Sequence, residues 1–214
     1  MTKPGLRWVS AGSLLMAALM LSGCGGLLGG RGKADLYRFG GAVVPADGQP
    51  SASVTQPVLV FFPGSSFPPA IEGDRILTVT GAQARYIAGA RWISPASDLF
   101  DAAIVAELER VSPTVRIIRA GAIPSAEYVL IIDVRHFEAS YARGAELPPD
   151  VIVAARAKLI RRSDRSIVAE WPVSHSEPSQ DNRVSAIVAA FERSTASVTG
   201  QIATLVQQSL AARP

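Results

Sequence analysis

Cys24, His136 and His175 are the side chains in this sequence able to do thiol or imidazole chemistry. A thiol is a nucleophile when ionised and also a point of covalent attachment. Two imidazoles with a carboxylate can hold a metal ion, and Glu138 and Glu177 each stand two residues beyond a histidine. General acid and base work needs two facing carboxyl groups. Asp98, Asp101, Glu107 and Glu109 share one predicted helix but spread around it, and read as helix-start charge and solvated surface. No G-x-S-x-G elbow occurs, nor a G-x-x-x-x-G-K-[ST] phosphate loop, a G-x-G-x-x-G after a strand, or an H-E-x-x-H. The expectation is a non-enzymatic protein, with no cofactor and no metal.

What precedes Cys24, the one cysteine among 214 residues, gives it a different chemistry. Lys3 and Arg7 are followed by an uncharged run from Val9 to Leu21. A helix needs roughly 20 apolar residues to cross a bilayer, and a shorter run behind positive charge is a signal-peptide core. Leu21-Ser22-Gly23-Cys24 then resembles the bacterial lipobox: a branched apolar residue, two small ones, and a cysteine. Cleavage after Gly23 would leave a diacylglyceryl-bearing Cys24 as the first mature residue, held by more than the single acyl chain that anchors only marginally. Gly25 at the following position, in place of Asp, favours the outer membrane facing the periplasm. The expected organisation is a signal peptide over 1–23, a Gly-rich tether over 24–34 and a periplasmic domain over 35–214. About ten flexible residues span roughly 17 Å.

The formal charge of +3 includes Lys3 and Arg7; without them 19 basic residues face 18 acidic ones. The pI of about 9.3 therefore carries no nucleic-acid signal. Arg161, Arg162 and Arg165 surround one turn and read as a hairpin tip.

Along the domain, Leu36 to Phe39 is a candidate edge strand. PVLVFF at 57–62, and RILTVT and AQARYIAG flanking Gly81, are β-prone, the last two as a hairpin. Ser94-Pro95 should open a helix, with Ser94 as the cap and Phe100, Ile104, Leu108 and Val111 as its apolar stripe. Ser112-Pro113 ends it before a short strand from Val115 to Ile118. Three strands with one-sided alternation follow, at 127–139, 151–161 and 167–175. A last helix after residue 182 carries Ile187, Phe191, Val198, Ile202, Leu205 and Ser209, with Gly200 as a place to bend. The fold class is α+β: a mostly antiparallel sheet with two main helices packed on one face. His136 and His175 both continue the apolar parity of their strands, which makes them neighbours at one margin of the core face. They are polar plugs there, or with Glu138 or Glu177 a metal site.

Several motifs fall in the order of a known family. They are the lipobox at Cys24, Leu36-Tyr37 after the tether, PVLVFFPG, GDRILTV, the RWISP segment from Arg91 to Pro95, and YVLIIDVRHFEA ending in Phe137-Glu138. The chain resembles the ABC-type transport auxiliary lipoproteins, which include the paraquat-inducible lipoprotein group, over about residues 36 to 210. It departs from them at 63–74, where a longer GSSFPPAIEG stands. The resemblance implies a membrane-tethered periplasmic adaptor without a nucleotide site, working with an ABC permease and an MCE-domain protein that move lipids or other hydrophobic compounds. The balanced charge leads us to expect no nucleic-acid partner, and self-association stays open. Arg and Trp are frequent binding hot spots, so Arg91 and Trp92 are the candidate interface; the alternative buries Trp92 under the first helix and leaves Arg91 solvated. Two other readings stand beside the adaptor: an envelope-assembly lipoprotein that binds a cell-wall synthase or a lipopolysaccharide-assembly barrel, and a direct lipid carrier, which needs an apolar cavity.

Overall fold

A computed structural model describes residues 34–41, 57–119 and 126–212. The leader, Gly23, Cys24, Gly25 and the glycine tether lie outside the described residues. The elements run β1 (Asp35–Tyr37), β2 (Val58–Phe61), β3 (Ser65–Ser66), α1 (Pro69–Glu72), β4 (Arg75–Thr80), β5 (Gln83–Trp92), α2 (Ala96–Val111), β6 (Val115–Ile118), β7 (Tyr128–Ser140), β8 (Asp150–Arg161), β9 (Ile167–Pro178) and α3 (Val184–Ala211).

Among the described residues one sheet of nine strands is organised by β7. Tyr128, Leu130, Ile132 and Val134 alternate inward, and β8 pairs antiparallel along the whole strand, from Tyr128↔Arg161 to Ser140↔Asp150. The other edge of β7 takes three short strands in turn, all parallel: β2 at Tyr128 and Val129, β3 at Ile132 and Asp133, β4 at Ala139 and Ser140. β6 extends the sheet beyond β2, and the β4–β5 hairpin carries β1 on its outer side. The hairpin turns at Gly81, whose φ of 57° lies in the left-handed region that glycine enters without strain. The long ladders are antiparallel and the fold class is α+β.

Two bulges correct the faces read from strict alternation. Val134 stands opposite Ala155 and His136 opposite Ala154, so Arg135 is an extra residue. Arg135 and His136 therefore both turn outward and Phe137 takes the core position, where it is buried. On β9, Ala169 pairs with Leu159 as the matching faces require, but Ile167 pairs with Ile160, leaving Val168 as the bulge. Ile167 consequently lies on the outer face and is 58% exposed.

Phe100, Ile104 and Leu108 of α2 are buried, as their spacing predicts, and Ala103 with them. Ser94 is not the cap: Pro95 holds that position, and Ala96 donates its N–H to the carbonyl of Gly73 at 3.0 Å. A carbonyl from the α1–β4 connection thus does the work expected of a side chain. The α3 helix runs unbroken through Gly200. Its buried face is Ile187, Phe191, Ser194, Val198, Ile202, Val206 and Leu210, while Leu205 and Ser209 are half-buried. Both helices join the inward residues of β7 and β8 in one core. At its centre Trp92 packs edge-on against Phe39 (4.9 Å between ring centroids) and Phe191 (5.2 Å), and Phe137 lies 4.8 Å from Phe191. Burying each such side chain contributes about 1.5–3 kcal/mol, with about 0.5–1.5 more for each well-oriented ring pair.

β9 pairs only with β8 among the described strands, so its second edge is free. Ser179 donates to the carbonyl of Pro149, which fixes the ladder's phase beyond the bulge: from Ala169 onward odd-numbered residues of β9 bond to β8 and even-numbered ones face outward. Pro172 and Pro178 both fall on the outward set, where a missing N–H costs the ladder nothing.

Candidate docking surface

Arg91 and Trp92 end β5 and part company there. Trp92 is 2% exposed and enclosed by aromatic rings, so it meets no partner; alternation along β5 turns it inward and Arg91 outward. Arg91 is exposed and grips Asp74 at 2.9 and 3.0 Å through one guanidinium nitrogen. It sits in a cross-strand row, Leu36↔Arg91↔Arg75, and the Arg75 guanidinium stacks 3.7 Å above the Tyr86 ring.

The histidines do not meet. Val153 lies between Phe137 and His175 in the pairing, so His175 shares the core face, half-buried. His136 pairs through Ala154 with Ser174 on the outer face, where its side chain is 56% exposed. Each approaches the glutamate two residues on: His136 Nδ1 is 3.2 Å from Glu138, and His175 Nε2 is 3.3 Å from Glu177. Glu177 also accepts from Arg193 Nε of α3 at 2.6 Å. Arg193, and after it His175, hold the Glu177 carboxyl below its ordinary range. Among the described residues no group of three or more His, Cys, Asp and Glu side chains could hold a metal ion.

Asp101 corrects the reading of α2 as bearing only solvated acids. It is 7% exposed, accepts the Ser65 N–H at 2.9 Å and is met by Arg119 Nη2 at 3.0 Å. Gly64, at φ 111°, passes so close that a β-carbon there would lie 2.9 Å from the carboxylate. Burial pushes the Asp101 carboxyl up; Ser65 and Arg119 pull it back only in part. The unit is a clasp holding the loop after β2 to α2.

A second clasp binds the chain just after β1. Gly40 and Gly41 both have positive φ, and their consecutive N–H groups converge on the Glu192 carboxylate at 2.8 and 3.1 Å. Successive N–H groups in this conformation make a concavity for an anion, here filled by α3 itself. Beside it a cleft of about 560 Å³ separates α2 from α3. Small residues, including Ala103, Ala106 and Ala196, line it between charged Glu107, Arg110 and Glu192. The hydrogen bond from Arg110 holds the Glu107 carboxyl below its ordinary range. Asp101 and Glu192 escape sequence reasoning because both act on backbone far away in the chain. The paired glycines at 40–41 and the lone Gly64 were the available signals. No described helix is long and apolar enough to cross a membrane.

This geometry has relatives. A crystal structure of a Xanthomonas campestris protein assigned to the family DUF330 is similar at 26% identity and a TM-score of 0.67, over 83% of this chain and 97% of that one. A second solved structure, of an uncharacterised protein, shares the fold at 15% identity and a TM-score of 0.62, over 81% of this chain and 99% of that one. No curated protein matches the sequence. Residues 43–203 match the family of ABC-type transport auxiliary lipoprotein components, and the chain belongs to that family.

Proposed function

We propose that this chain is the membrane-anchored periplasmic adaptor of an ABC/MCE-type transport system for lipids or other hydrophobic compounds. Family membership over residues 43–203 is the observation that carries the reading. Cys24 is the acylated residue, Gly23 the last of the leader, and residues 24–34 the tether that joins the lipid to the domain from residue 35 onward. Gly25 directs the protein to the outer membrane. Tethering raises the local concentration of the domain at its partner, so a modest docking interface suffices. Of the sequence-derived pair, Trp92 is buried in the core and Arg91 is exposed at the end of β5. The space between sheet and helices is filled by Phe39, Trp92, Phe137 and Phe191, which favours docking over carriage of cargo inside the domain.

The test is affinity purification of the lipidated chain from envelopes, with the Cys24→Ala variant in parallel. The wild type should fractionate with the outer membrane and bring down an MCE-domain protein and its permease, and the variant should leave the membrane. Recovery of a cell-wall synthase or a lipopolysaccharide-assembly barrel, with no MCE-domain protein, would establish the envelope-assembly reading instead.

A further inference from the structure

Among the described residues Leu36, Ile93, Leu147 and Ile167 are the large apolar side chains left exposed. Two of them are neighbours. Leu36, 61% exposed, is the register partner of Arg91, and Ile93, 57% exposed, donates its N–H to the carbonyl of Tyr37 at 2.7 Å. The core does not use these two side chains, since the inward contacts of β1 and β5 are made by Tyr37, Ala90 and Trp92.

The charge around the pair is one-sided. Arg38, two residues beyond Leu36, is exposed and has no ion-pair partner among the described residues. Arg91 and Arg75 complete the row across β5 and β4, and Asp74 answers only Arg91. Asp35 turns away, since its partner Ala90 is buried in the core. Arginines beside exposed aliphatic side chains suit the interface of an anionic bilayer, where the aliphatic groups enter the headgroup boundary and the guanidinium groups meet phosphates.

We infer that this edge of the sheet, Leu36 and Ile93 with Arg38, Arg75 and Arg91, is the face on which the domain lies against anionic phospholipid. The inference rests on the anchoring reading of Cys24. Its geometric support is where the described chain begins: residue 34 stands immediately before β1, so this edge is the part of the domain closest in sequence to Cys24. The face also lies at the edge of the sheet opposite β9, which leaves the far side of the domain turned to the periplasm. The Glu192 clasp at Gly40 and Gly41 makes the orientation firm, since it fixes the chain to α3 just after β1.

The experiment places single cysteines at L36C, I93C and, on the far edge, I167C in the lipidated full-length chain. Spin-labelled protein is reconstituted in vesicles of phosphatidylethanolamine and phosphatidylglycerol. Labels at 36 and 93 should show a severalfold higher ratio of oxygen to nickel-chelate accessibility than the label at 167. That contrast should shrink in neutral phosphatidylcholine vesicles and in R38E/R75E. Protein that floats with the vesicles while all three labels read alike would overturn the orientation and leave the anchor standing. Protein that fails to float, with Cys24 itself taking up the label, would overturn the anchor and this face together. Protection of 36 and 93 only on adding the MCE-domain protein would make the surface a protein interface and also overturn the inference.

Discussion

Glu192 accepts the N–H of Gly40 at 2.8 Å across 152 residues of chain, so the last helix holds the first strand in place. Charge-assisted hydrogen bonds of this kind contribute about 1.5–3 kcal/mol each when buried and less where water reaches them. Glu192→Ala should therefore cost about 1–3 kcal/mol in urea unfolding. Amide exchange at Gly40 and Gly41 should accelerate in the variant before the rest of the domain is affected. Gly40→Ala should cost about 1–2 kcal/mol for its positive φ, and its β-carbon would lie 3.1 Å from that of Ala103.

Arg91 and Trp92 should separate cleanly in mutagenesis. Trp92→Ala removes the hub of the aromatic core and should cost about 3–5 kcal/mol in thermal or urea unfolding. Arg91→Ala breaks only an exposed ion pair and should stay within about 0.5 kcal/mol of the wild type. An effect of Arg91→Ala on vesicle or partner binding with unchanged stability would assign it to the surface.

Asp101 and Glu177 should give stability opposite slopes in acid. The native Asp101 carboxyl is raised by burial, so its contribution is fully present below the ordinary value of about 4 and is lost as pH rises through the raised one. The native Glu177 carboxyl is lowered by Arg193 and His175, so its contribution is present above the ordinary value and lost as pH falls through the lowered one. Urea midpoints followed from about pH 3 to 7 should show the first slope vanish in Asp101→Asn and the second in Glu177→Gln.

His136 and His175 should not share a metal ion. They occupy opposite faces of the sheet, each beside its own glutamate. In nuclear magnetic resonance spectra His175→Ala should leave the His136 imidazole signals unmoved, and zinc should shift neither resonance at stoichiometric concentration. A shared zinc response would mean that the two imidazoles come together in solution.

The long ladders were legible because β7, β8 and β9 are twelve or thirteen residues with one buried face, so period-two alternation has room to repeat. The parallel joints of β2, β3 and β4 to β7 were not, since each rests on two residue pairs and depends on chain far away. The bulge at Arg135 left a trace that strict alternation overrode: Arg135-His136 puts two polar residues in succession before Phe137. Counting through them carried His136 onto the wrong face and invented a neighbour for His175. The stripe of α3 drifted for a related reason. Ser194, Thr195 and Thr199 are buried polar residues, and an apolar count cannot find a face that includes them.

The two prolines on the outward set of β9 have a consequence for how copies of this protein can associate. A second chain approaching that border would find no amide hydrogen at 172 or 178, and a hydrogen-bonded continuation of the sheet would break in its middle and at its end. Assembly by strand addition at β9 is therefore disfavoured, and that border stays closed to newcomers.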